Sequence, residues 1–142
     1  MKLYVQIVLL SLSLVFSCEK DDSPIGFEPG PPGSFTYESY DTLGIQIVYG
    51  WLEYELVDSV KIEGSWKLNS LSTRTDIGPQ VGEGKLIGHI EGTSISMELN
   101  PQFRDNNLSL VGKINNNRIE GKWYWMSYIG VTNWGTFKAM KN

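Results

Sequence analysis

Leu86-Ile87-Gly88-His89-Ile90-Glu91-Gly92-Thr93-Ser94-Ile95-Ser96-Met97-Glu98-Leu99 is the stretch on which the fold turns. Leu86, Gly88 and Ile90 alternate with Lys85 and His89, with Ile87 as the exception, and Ile95, Met97 and Leu99 alternate with Ser94, Ser96 and Glu98. A period of two means a strand with one apolar and one polar face. Glu91–Ser94, rich in turn formers, joins the two runs as a hairpin. The pattern returns 24 residues on as Leu110-x-Gly112-x-Ile114, then Ile119-x-Gly121-x-Trp123, around Asn115–Arg118. Another 24 residues back stands Ile62-x-Gly64-x-Trp66, then Leu71, which reads as a third hairpin.

Working outward, a first strand or pair of strands falls in Ile45–Val57 and a last strand in Trp134–Met140. The expected total is about eight strands, with the domain beginning between Phe35 and Gly44. In the first segment Ile45, Ile47, Tyr49 and Trp51 share one face while Leu52, Tyr54 and Leu56 take the other. Gly50, beside this change, marks a bulge or a tight turn. Gly64, Gly88, Gly112 and Gly121 all lie on the apolar face, where they let strands coil and leave room for Trp66, Trp123 and Trp125. The expectation is an all-β, antiparallel up-and-down meander closed, or nearly closed, into a barrel, with a β-sandwich as the alternative.

Composition excludes several functions. The 142 residues carry 12 Lys+Arg against 16 Asp+Glu, a balance that disfavours nucleic acid as a partner. One Cys and one His leave no internal disulfide framework and no Cys- or His-built metal cage. No Gly-x-Ser-x-Gly elbow, His-Glu-x-x-His helix or phosphate loop is present. His89 falls on a polar face and Asp105-Asn106-Asn107 lacks the spaced acids of a calcium loop, so it reads as a turn. Glu53 and Glu55 could pair as catalytic carboxylates, but two acids on one exposed strand face are ordinarily solvated. The reading is a protein that is not an enzyme, with no cofactor and no metal.

The N-terminus reads as an address. Lys2 precedes the uncharged stretch Leu3–Phe16, too short to span a bilayer but suited to a secretory signal. Val15-Phe16-Ser17-Cys18 resembles the lipobox of bacterial lipoproteins, which implies removal of residues 1–17 and lipidation of Cys18. A plain secreted protein is the alternative; it leaves the chain's only Cys at that position unexplained. Glu19-Lys20-Asp21-Asp22 resembles the Lys-then-two-acids signal of surface-exposed outer-membrane lipoproteins, or simply begins a solvated tether. Residues 18–34, with four of the six prolines, form that tether, and residues 35–142 the barrel domain. The expected localisation is the outer membrane, held by a lipid anchor and exposed on the cell surface.

Gly64-Ser65-Trp66 resembles the Gly-x-Trp signature of the lipocalin and avidin-like barrels, and Gly121-Lys122-Trp123 has the same form. The resemblance implies an eight-stranded barrel with Trp66 packed across one end. The ring-rich segment Trp123, Tyr124, Trp125, Tyr128 and Trp134 is the candidate binding surface. Two functions follow. One is a module holding a small apolar or amphipathic ligand in the barrel; the other is a filled barrel contacting a protein or glycan through surface aromatics. Protease treatment of intact cells should remove the domain; a protein left untouched would contradict surface exposure.

Overall fold

The structure, a computed structural model, describes Gly30, Pro31 and residues 33–142. The segments read as a signal and an anchor, residues 1–17, Cys18 and Glu19–Asp22, lie outside the described residues. Eight strands follow one another: β1 (Phe35–Tyr40), β2 (Gln46–Leu56), β3 (Lys61–Ser70), β4 (Gly82–Glu91), β5 (Ser94–Glu98), β6 (Asn107–Asn115), β7 (Arg118–Ser127) and β8 (Gly130–Lys141). Each pairs antiparallel with the next, and β8 pairs with β1, so the sheet is a closed meander barrel rather than a sandwich.

Local chemistry sets the turns. Between β4 and β5 only Gly92-Thr93 intervene, and between β6 and β7 only Asn116-Asn117, with Gly92 (φ 61°) and Asn116 (φ 53°) in the left-handed region. The Asp58 carboxylate accepts from the backbone N–H of Val60 (2.8 Å) and Lys61 (2.7 Å) and so closes the β2–β3 turn. These three turns, with the chain's entry at Phe35, form what is here called the tether end. The β1–β2, β3–β4, β5–β6 and β7–β8 connections form the opposite, loop end.

The sequence reading needs four corrections. Phe35–Tyr40 is itself the first strand, so Ile45–Val57 holds the second, as a single strand and not a pair, which was the other reading open for it. The change of phase lies at Ile47, not Gly50: Ser39 faces Val48 and Tyr40 faces Gln46, leaving Ile47 as the extra residue, and both Ile47 and Val48 are buried. The unit at Ile62 is not a hairpin, because β3 pairs with β2 and β4 and residues 71–81 form a long connection. The last strand starts at Gly130, with a bulge opposite Trp125/Met126 where Thr132 has no partner.

The inward glycines work with the tryptophans. Trp66 faces Gly84 across the β3–β4 pair, and a Cβ on Gly84 would lie 3.2 Å from the indole. Trp123 faces Gly135 across β7–β8, and a Cβ there would lie 2.6 Å from its Nε1 and 2.1 Å from the Tyr40 carbonyl. At Gly88 and Gly112 a Cβ would instead meet the carbonyls of Ser96 (2.2 Å) and Glu120 (2.4 Å), with Ile62 (3.1 Å) and Phe137 (3.2 Å) next. Both buried indoles keep a partner: Trp66 Nε1 donates to Leu99 O (2.6 Å) and Trp123 Nε1 to Tyr40 O (2.9 Å). Trp66, expected to close one end, thus reaches from mid-β3 to the end of β5 just below the loop end.

Gly135→Ala should cost about 1–3 kcal/mol in urea unfolding, the range for forcing an atom into packed space. Unchanged stability would mean that the indole does not occupy the glycine's volume.

Candidate functional site

Residues 71–81 lie across the loop end and are held by side chains of β1, β7 and β8 and of the β1–β2 and β5–β6 connections. Ile77 is buried and Gln80 fully so; Gln80 Nε2 donates to the Ile77 carbonyl (2.6 Å), and Ser39 Oγ donates to Gln80 Oε1 (2.9 Å). Arg74 donates from Nη1 to Asp41 Oδ2 (2.6 Å) and through Nε and Nη2 to both oxygens of Asp76 (2.8 and 2.7 Å). Asp41 Oδ1 also accepts from the backbone N–H of Leu43 and Ile45, each at 2.9 Å. Asn133 Nδ2 reaches the Asp76 carbonyl (2.7 Å), and the Trp125 ring lies against Gly78, where a Cβ would be 2.7 Å from it. The segment therefore acts as a plug.

The electrostatics agree with this geometry. The Ile45 N–H and then the Arg74 guanidinium hold the Asp41 carboxyl below its usual value, and Arg74 does the same for Asp76. Beneath the plug the interior is apolar except for a short polar seam. There the Tyr37 hydroxyl is buried without a hydrogen-bond partner, and burial pushes its pKa up. Its ring stacks on Phe137 at 5.7 Å.

The five predicted rings go to four places. Trp123 is fully buried in the core, and Trp125 is half-buried at the inner rim of the loop end, donating to Asn106 Oδ1 (3.0 Å). Tyr124 and Trp134 are cross-strand partners on the outer wall, with the Lys122 ammonium 4.9 Å from the Trp134 ring centre. Tyr128 stands at the β7–β8 turn, 89% exposed. Only Tyr124 and Trp134 are neighbours on an accessible face. Sequence reasoning missed Arg74 and Gln80, because the 71–81 segment has no period to mark it; the Arg74/Asp76 pair was its one visible signal.

Two concavities open on the outside of the wall. One of about 630 Å³ runs over β2–β4, lined by Glu53, Glu55, Glu63, Ser65, Lys85 and Ile87 among others. The other, about 310 Å³, lies between Thr36, Glu38, Arg118, Lys138 and Met140. Glu53 accepts from Ser65 Oγ (2.6 Å), and His89 is exposed. Among the described residues no cluster of His, Cys, Asp and Glu is placed to hold a metal ion.

No family model and no curated protein matches the chain. Among solved structures the rhizavidin–biotin complex is similar, with a TM-score of 0.45 and 18% identity over 77% of this chain and 99% of that one.

Acidification should loosen the plug. Asp41 and Asp76 have folded pKa values below the ordinary 3.8, so their stabilisation is complete above that value and is lost as the pH falls through the lowered ones. Hydrogen-exchange protection of the Leu43 and Ile45 amides should drop as the pH falls below the ordinary carboxylate range and, in Arg74→Ala, already be reduced at neutral pH. Protection indifferent to both changes would contradict the latch.

Proposed function

We propose that this chain is a non-enzymatic binding protein, lipid-anchored through Cys18 and displayed outside the cytoplasm. Its filled barrel is a rigid support for contact with a protein or glycan. The observation that carries the reading is the occupied interior: Trp66 and Trp123 lie over Gly84 and Gly135, and Ile62, Leu86, Met97, Leu110 and Phe137 are buried beside them. An eight-stranded barrel holds either its own side chains or one small ligand, and here the side chains are in place. The outer-wall pair Tyr124 and Trp134, flanked by Lys122, offers flat rings beside a cation. Such a surface suits stacking against a sugar ring or a protein side chain. The lipobox-like Val15–Cys18 and the acids after it support anchoring and export.

A second reading keeps a small apolar or amphipathic ligand inside the barrel. It is favoured by the partnerless Tyr37 hydroxyl and the Ser39–Gln80 pair, polar groups that a ligand could engage if it displaced Ile77 and Gln80.

Native mass spectrometry of the chain from Ser23 onward separates the two. A filled barrel gives the bare polypeptide mass, whereas an excess that disappears on denaturation establishes the second reading. On glycan arrays or against envelope proteins, Trp134→Ala with Tyr124→Ala should abolish capture while the fold persists. Undiminished capture would remove the outer wall from the account.

A further inference from the structure

The plug is ringed by exposed apolar side chains, and each connection at the loop end supplies at least one. Leu43 (83% exposed) stands in β1–β2, Leu71 and Val81 at the two ends of β3–β4, Phe103 (55%) in β5–β6, and Tyr128 and Ile129 (89% and 91%) in β7–β8. At the tether end two of the three turns, Gly92-Thr93 and Asn116-Asn117, carry no such residue, while Leu56, Val57 and Val60 surround the third.

Three features of this ring define what it fits. Its apolar groups stand on four separate connections, so a rigid partner would have to match four independent positions, whereas a fluid phase admits any arrangement. At the β1–β2 and β5–β6 tips backbone N–H groups are satisfied internally: Leu43 and Ile45 N–H bond to Asp41 Oδ1, Gly44 N–H to Asp41 O (3.0 Å), Phe103 N–H to Asn100 O (2.9 Å) and Asn106 N–H to Phe103 O (3.2 Å). An apolar medium demands this, since unpaired peptide groups are costly there. The charges at the ring are Arg74 between Asp41 and Asp76, and exposed Arg104 beside exposed Asp105, two cations against three carboxylates. This end therefore shows no cationic excess that would call for an anionic surface.

We propose that the loop end docks on a zwitterionic phospholipid bilayer by inserting Leu43, Phe103, Tyr128 and Ile129 into the interfacial region. Tyr128, with an apolar ring and a polar tip, suits that depth. The chain enters the barrel at the opposite end, so this contact is separate from the Cys18 anchor and from the outer wall of β7 and β8. It is also independent of what the outer wall or the interior binds.

The test uses the unlipidated chain from residue 18 onward with Cys18→Ser, which retains every described residue, and phosphatidylcholine vesicles in a flotation assay. The protein should float with the vesicles and keep doing so in high salt, because the attraction is not ionic. Tyr128→Ser with Ile129→Ser should lower partitioning roughly tenfold or more, Leu43→Ser should lower it too, and Leu56→Ser at the tether end should leave it unchanged. These tips are exposed, so the variants should melt like the parent. A tryptophan placed by Ile129→Trp should be quenched by lipids brominated in the acyl chain. Absence of flotation, loss of flotation in salt, or equal loss with Leu56→Ser would overturn the proposal. So would a dimer, seen by ultracentrifugation without vesicles, that the Tyr128/Ile129 substitutions dissociate, since a second copy would then be the occupant.

Discussion

One non-local seam makes the barrel a barrel. Every other strand pair joins neighbours in sequence, whereas β1 and β8 bring together the two ends of the domain, with Thr36 bonded to Asn142 across 106 positions. The seam is held at both ends. Near the loop end the Trp123 indole crosses over Gly135 to the Tyr40 carbonyl, a path open only because Gly135 has no side chain. At the tether end Asn142 donates from its backbone N–H to the Ser34 carbonyl (2.9 Å) and from Nδ2 to Ser34 Oγ (3.0 Å). Closing so long a loop is entropically costly and slow, so the fixed contacts that offset it sit at the seam. Closure leaves no free sheet edge among the described strands. It also directs the buried rings into a confined interior.

Much of this was legible in the residues. Alternation around Gly92-Thr93 and Asn116-Asn117, broken only at Ile87, located four strands, because a half-buried strand must alternate and a tight turn needs residues that tolerate positive φ. Inward glycines beside tryptophans pointed to a closed, strongly coiled sheet. What stayed hidden was non-periodic or non-local. Phe35–Glu38 alternates apolar and polar residues too, but it is short, follows a proline-rich stretch and has one of its two partners at the far end of the chain. The bulge at Ile47 was misplaced to Gly50 because a glycine signals irregularity, whereas an extra isoleucine does not. The 24-residue spacing suggested a third hairpin at Ile62 where the chain instead makes the 71–81 connection.

The candidate site was legible only in part. Ring density drew attention to Trp123–Trp134, but period two sends alternate rings inward, and β7 buries Trp123 while turning Tyr124 outward. Gln80 and Ile77 act as the plug because a tertiary fold places them over Ser39, which no local pattern encodes. The apolar tips Leu43 and Phe103 were equally silent: a single hydrophobic residue in a turn is unremarkable until four turns share one end. The resulting molecule has a stiff wall with a pair of exposed rings, a latched plug, and two ends of different chemistry.

The claim beneath all of this is that the barrel interior is occupied by its own side chains. Diffraction from crystals pressurised with xenon tests it directly, since apolar cavities large enough for a ligand take up the gas. The account predicts no xenon site inside the barrel, with the Tyr37 and Phe137 rings in stacked contact. A xenon site bounded by Tyr37, Trp66, Trp123 and Phe137 would show a vacant container and contradict it.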